Sequence, residues 1–209
     1  MVLSVPLAET LRLEHPKIRF RAVEAMSGFI KEWLADSSID LAILYDTGTL
    51  KNSESRLLLA EDLHFYCATD AWPFESEPGE PVRLADVAHQ ELVLPSANHG
   101  LRSLIDRYCK ANGLTANVVV EMDSLSQILS LVARGSASTI LAPAAAHGHI
   151  EQGMLLSAPI TDPVIRRPVY LVRNPERMVT RASREVEEIT VKVVRELVER
   201  NIWKGRLVS

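Results

Sequence analysis

The sequence predicts an α/β chain folded as two blocks, with the polypeptide crossing between them twice. Three observations carry this expectation. Short apolar runs of strand length alternate with stretches whose apolar residues recur at helical spacing. Proline-rich stretches at 70–81 and 159–168 interrupt that alternation. A strand and a long helix remain after the second interruption, and their simplest packing is back on the first block. The blocks are then 1–70 with 167–209, and 80–160, with hinge crossings at 71–79 and 161–166.

In chain order, Val2 to Glu14 reads as a helix carrying Leu3, Leu7 and Leu11, stopped before Pro16. Ile18–Glu24 alternates like a strand. Ser27 is placed to cap a helix with Phe29, Ile30, Trp33 and Leu34, and Ile39–Tyr45 is a second strand. Those three elements form an expected βαβ unit with parallel strands and a right-handed crossover. Leu57–Ala60 and Leu63–Ala68 form a further strand region. The second block reads as strand Glu91–Leu94, helix His99–Asn112, strand Asn117–Glu121, helix Leu125–Arg134 and strand Thr139–Leu141. A short helix at Ala144–Ile150 and a strand at Met154–Ala158 complete it. Val169–Val172 is the returning strand, and Arg181–Arg200 a closing helix with Val186, Ile189, Val193 and Leu197 on its inner stripe.

Composition narrows the function. The chain has 209 residues, 47% hydrophobic and 24% charged, enough for one large domain or two small ones. Its 23 Lys+Arg against 27 Asp+Glu leave a net charge of −4, a poor footprint for a nucleic-acid-binding surface. Cys67 and Cys109 are too few and too isolated for a disulfide framework, and read as buried free thiols. No apolar run is long enough to span a membrane, and Met1–Ser4 lacks the basic and apolar regions of a secretion signal. A reducing cytoplasm fits these features.

The stretch Leu92–Arg102 is the focus for function. A buried strand stops at Pro95 and Ser96 and turns into a helix with Leu101, Leu104, Ile105 and Tyr108 on one face. Gly113 stands where a left-handed cap would end that helix. A helix start leaves N–H groups without partners, and a strand feeding one is a ready anion site. Ser27, Ser96 and Ser124 each follow a strand as a candidate cap, and Ser124-Leu125-Ser126-Gln127 matches the capping box. Each serine alone is more simply a cap; their coincidence suggests donors converging on a small carboxylate or similar anion. Arg102 can complete such a site through its planar donor fork, or be a solvated surface residue. His99 is a hydrogen-bond donor to ligand and a pH-sensitive element, or a loop-packing residue.

Other chemistries fit poorly. Ser96 and His99 sit in one turn with no G-x-S-x-G elbow and no carboxylate to orient the histidine, so no catalytic residue is expected. His147-Gly148-His149 is too closely spaced for one helix face and lacks a set of further metal ligands, so no metal is expected. The common nucleotide and redox motifs are missing, and no cofactor is expected.

The ordered segments resemble the effector-binding domain of LysR-type bacterial transcription regulators over some 190 residues. Those segments are Pro6–Pro16, Val23–Gly28, Ile39–Ile43, Glu61–Leu63, Leu94–Ser96 with His99–Arg102, Glu121–Leu125, and Leu131–Gly135 leading to Ile140–Ala144. The L-P-S-x-x-H-G-L-R form is similar to the branch of nitrogen-assimilation control regulators. The resemblance implies a fold like the type 2 periplasmic binding proteins, two Rossmann-like subdomains with the effector between them. It implies a homodimer that can pair to a tetramer, and no enzyme. It also implies effector contacts at Ser27, Pro95, Ser96, Asp123 and Ser124, with Pro143 nearby. The family's amino-terminal winged helix-turn-helix, through which DNA is bound, and the first strand of the first subdomain have no counterpart in this sequence, which therefore resembles a truncated regulator. A solute-binding protein of a transport system would share this architecture and is the alternative expectation.

Overall fold

The computed structural model describes residues 2–25, 27–46, 54–174 and 176–208. Met26, in the run Val23–Gly28, and Met1, at the start of the chain, lie outside them. The chain divides into two compact units, residues 1–60 with 168–209, and residues 61–167.

In the first unit, α1 (Ser4–Glu14) buries Leu7 and Leu11 against α7 (Arg181–Glu199), which presents Ile189, Val193, Val194 and Leu197. Each such buried aliphatic stabilises by roughly 1.5–3 kcal/mol. Lys192 donates to Glu14 at 2.7 Å along the same contact. Thr180 caps α7 in a reciprocal box with Ser183: the Ser183 N–H donates to Thr180 Oγ1, and Ser183 Oγ lies 3.0 Å from the Thr180 N–H. The box escapes a search for Glu or Gln at the third helical position because a serine performs the return contact.

The sheet of this unit runs in the order β1 (Leu41–Leu44), β9 (Arg166–Arg173), β2 (Glu54–Asp62), β10 (Arg206–Leu207). Ala42 and Leu44 of β1 join Leu34 of α2 (Ser27–Ala35) and Val172 of β9 in one apolar cluster. Buried Asn174 donates to the Leu34 carbonyl at 2.6 Å, fixing the end of α2 to the end of β9. Two sequence expectations are corrected here. Residues 18–25 form no strand. Alternation supplies a face but not a ladder partner, and a strand exists only where its N–H and C=O groups are paired. β1 pairs antiparallel with β9, Leu41 opposite Arg173, so the expected parallel βαβ unit is not formed.

Gly205 explains how the C-terminal strand reaches β2. A Cβ there would lie 2.6 Å from Leu59 Cδ1 and 3.1 Å from the Ala60 carbonyl oxygen. Glycine makes that approach without displacing the Leu59 side chain, and Arg206 then pairs with Ala60.

The second unit holds two sheet pieces. One is ordered β4 (Val82–Arg83), β8 (Leu155–Thr161), β3 (His64–Ala68), β7 (Thr139–Leu141). The other pairs β5 (Leu92–Leu94) with β6 (Val118–Glu121) in parallel, and a parallel bridge from Leu92 to Ser138 ties β5 to the start of β7. Buried Thr139 reinforces that seam by donating to the Val93 carbonyl at 2.8 Å. Helices α3 (Leu84–Ala88), α4 (Gly100–Ala111), α5 (Leu125–Ala133) and α6 (Pro143–Glu151) cover these strands. The stripe Leu101, Leu104, Ile105 and Cys109 of α4 is buried in one core with β3, β5 and β7. Gly113, at φ +69°, ends α4 with its N–H on the Lys110 carbonyl, while Leu114 N–H reaches Cys109, a Schellman closure.

The segment 71–79, expected as a crossing, lies inside the second unit, as does 161–166. Trp72 and Phe74 pack edge-on against each other, centroids 5.3 Å apart, and Phe74 meets the buried Phe65 at 4.9 Å. These aromatic contacts hold the proline-rich loop to its own core. The chain changes unit instead between Ala60 and Glu61, within β2, and between Arg167 and Pro168, within β9.

Candidate functional site

Parallel pairing points β5, β6 and the start of β7 the same way, so three strand-to-helix loops leave one end of these strands. They are 95–99 before α4, 122–124 before α5, and Ala142 before α6. The carboxyl ends of parallel strands are where α/β proteins bind ligands.

In the first loop, Pro95 is buried, and Ser96 begins a turn in which the His99 N–H donates to the Ser96 carbonyl at 2.9 Å. The expected capping role of Ser96 is corrected: His99 is the cap, its Nδ1 accepting the Leu101 N–H at 3.1 Å. A cap must stand immediately before the first helical residue, and the turn places that position three residues beyond Ser96. The Ser96 N–H instead donates to Asp123 Oδ1 at 2.8 Å, joining loops 27 residues apart.

The second loop also departs from expectation. Ser124 is the N-cap residue of α5, but its side chain makes no capping hydrogen bond, and its Oγ lies 3.1 Å from Ser126 Oγ. The expected capping box with Gln127 is therefore not formed. Pro143 is the first residue of α6, after Ala142, which offers no side-chain acceptor. The first turns of α5 and α6 thus keep N–H groups that no side chain of the cap position satisfies.

Arg102 is not held ready for a ligand. Its Nε meets both Asp106 oxygens at 2.9 and 3.0 Å, and its Nη1 donates to Glu121 Oε1 at 2.8 Å and to the Pro95 carbonyl at 3.3 Å. Burial acts to lower its pKa, but the hydrogen bonds and charges of Glu121 and Asp106 outweigh it and carry the pKa upward. The Asp106 contact is an i,i+4 pair that the sequence spacing contains. The Glu121 contact spans 19 residues and has no local signal. Arg102 therefore ties the first turn of α4 to Pro95 and to the end of β6.

His99 titrates below the usual histidine range, first because burial disfavours the imidazolium and then because of the Arg167 charge, with Asp123 opposing both. The His99 Nδ1 is engaged by the Leu101 N–H rather than by Ser96. Ser27 opens α2 as its first residue, in the first unit, while the other candidate residues belong to the second. No group of three or more His, Cys, Asp or Glu side chains is arranged to hold a metal among the described residues. His147 Nε2 does lie 3.3 Å from Glu151, a carboxylate one turn on.

Sequence reasoning missed Glu61 and Arg167. Glu61 is 0% and Arg167 8% exposed, and Arg167 donates from Nε and Nη2 to Glu61 Oε1 at 2.8 and 2.5 Å. They are the first and last residues of the second unit. A separation of 106 positions leaves no local pattern to read.

The family model for the LysR substrate binding domain matches residues 2–195. The nitrogen assimilation regulatory protein nac of Klebsiella aerogenes is 24% identical over 192 residues, covering 92% of this chain and 61% of that protein. The chain thus spans about three fifths of the length of that curated relative. The effector-binding domain of QuiR in complex with shikimate superposes with a TM-score of 0.78 at 19% identity, over 92% of this chain and 91% of that one. The regulatory domain of Synechocystis CcmR in complex with 2-PG gives the same TM-score at 14% identity and the same coverage. These likenesses show the type 2 periplasmic-binding-protein fold that the resemblance implied. No described helix is long and apolar enough to cross a membrane. With a family model matching nearly its whole length, the chain belongs to the LysR substrate-binding domain family, the effector-binding part of transcription regulators.

Proposed function

We propose that this chain is the sensing domain of a transcription regulator and that its effector is a small organic anion. One observation carries the reading: three parallel strand ends feed three helix starts, two of which lack a side-chain cap. N–H groups that no cap side chain engages, and the positive ends of helix dipoles, favour negative charge there. The shikimate and 2-PG complexes of the structural neighbours agree with ligands of that size. In this reading the effector meets Ser96, His99, Asp123 and Ser124, with Pro95 and Pro143 shaping the loops and Arg102 holding them in register. Ser27, in the first unit, is assigned by family resemblance alone.

The ligand acts by binding one state of the domain better than another, and biases the equilibrium only by that difference. DNA contact falls to a segment outside this chain, in a cytoplasmic homodimer or tetramer. A thermal-shift screen of small carboxylates, sulfonates and phosphate esters against their uncharged analogues tests the reading. Anions should raise the melting temperature and their uncharged analogues should not. Binding undiminished by Ser96→Ala with Ser124→Ala contradicts the site.

A further inference from the structure

We propose that His99 is a protonation-sensitive positioning residue: neutral, it caps α4 and holds the 95–99 loop, and protonated, it releases both. The proposal deepens the reading of this loop as a ligand wall, but its first test needs no ligand.

The geometry fixes the tautomer. Nδ1 accepts the Leu101 N–H at 3.1 Å, so it carries no proton, and the ring proton of the neutral side chain is on Nε2. The His99 main chain is committed as well, its N–H to the Ser96 carbonyl and its carbonyl to the Ser103 N–H at 3.0 Å. One residue thus closes the turn, starts the helix and supplies the cap. A proton on Nδ1 would set two donors against each other and place a positive charge at the positive end of the helix dipole.

The charged groups facing the ring act in opposite directions. Arg167, from β9, disfavours the imidazolium, and Asp123, from the loop before α5, favours it. Burial adds to the Arg167 effect, so the folded pKa lies below 6.5. Well above pH 6.5 the ring is neutral folded or unfolded and contributes no pH dependence. As pH falls below 6.5 the unfolded chain takes the proton first, so stability is lost until pH reaches the lowered folded pKa.

Because Ser96 is bonded through its N–H to Asp123, release of the turn also loosens the contact between the two loops. Ligand affinity should fall in the same pH window.

The test is nitrogen-15 NMR of the His99 ring with amide exchange at Leu101, on the full 209-residue chain across pH 4.5 to 8. The expected result is the Nε2–H tautomer at neutral pH. As the ring protonates, Leu101 exchange corrected for its intrinsic rate should rise roughly fivefold, the scale of a lost cap. His99→Asn keeps a capping acceptor without a titrating ring, so its Leu101 protection should persist and lose this pH dependence. An Nδ1–H tautomer, an imidazolium at pH 7, or an unchanged pH profile in His99→Asn overturns the proposal. Repeating the profile with an anion from the thermal-shift screen separates the two claims. A ligand-free switch without anion binding defeats the proposed function alone, while anion binding with no switch defeats this inference alone.

Discussion

Replacing Glu61 by glutamine should be among the most damaging single changes in the second unit. The carboxylate is fully buried and receives two hydrogen bonds from Arg167, itself 8% exposed. Glutamine keeps the shape but removes the negative charge that receives both of these hydrogen bonds from the buried guanidinium. Breaking a buried pair by removing one partner costs about 3–5 kcal/mol, whereas replacing both with apolar residues of similar volume is often near neutral. Glu61→Leu with Arg167→Met should therefore recover most of what Glu61→Gln loses. Trp72 lies in this unit, and Trp33 and Trp203 in the other, so a Trp33→Phe, Trp203→Phe background makes fluorescence report the second unit alone. With a urea slope of about 2 kcal/mol per molar, Glu61→Gln should lower the midpoint by roughly 2 M. A loss below about 1 kcal/mol, or a double variant as unstable as the single, would refute the argument that the charge is buried and paired.

Three further outcomes follow from local geometry. Arg102→Gln removes the contacts to the Pro95 carbonyl and to Glu121 and should destabilise the second unit by about 1–2 kcal/mol in urea unfolding, while weakening charged and uncharged ligands alike if Arg102 positions rather than binds. Gly205→Val places carbon where Leu59 and the Ala60 carbonyl stand, so hydrogen exchange at Val208, whose N–H donates to Leu58, should accelerate. Burial, and then the charge of Asp70, push the Cys67 thiol up to about 11, and burial raises Cys109 as well. At pH 8 about one Cys67 in a thousand is thiolate, so a disulfide reagent should label neither cysteine until urea unfolds the chain.

Much of the second unit is legible in the sequence because its signals are local. The stripe of α4, the left-handed stop at Gly113 and the strand Thr139–Leu141 each follow from neighbouring residues. What depends on a distant partner is not legible. Residues 18–24 alternate as a strand would, but no spacing states whether a ladder exists. Ser96 looks like the cap because serine is a strong capping residue, whereas the turn at 96–99 hands the position to His99. Asp106 is visible as a helix-spaced partner of Arg102, but Glu121 and the Pro95 carbonyl depend on packing β5 beside β6. Residue type alone thus marks the candidate residues, and tertiary contacts set what each of them touches.

Sensing in the proposed function requires that the loops at 95–99 and 122–124 meet a ligand. Amide chemical-shift mapping of the chain with the strongest anion from the thermal-shift screen tests it most directly. The largest shifts are expected at Ser96, His99 and the first turn of α5, saturating with the same affinity. Saturable shifts confined to other residues, with Ser96, His99 and Ser124 unmoved, would contradict it.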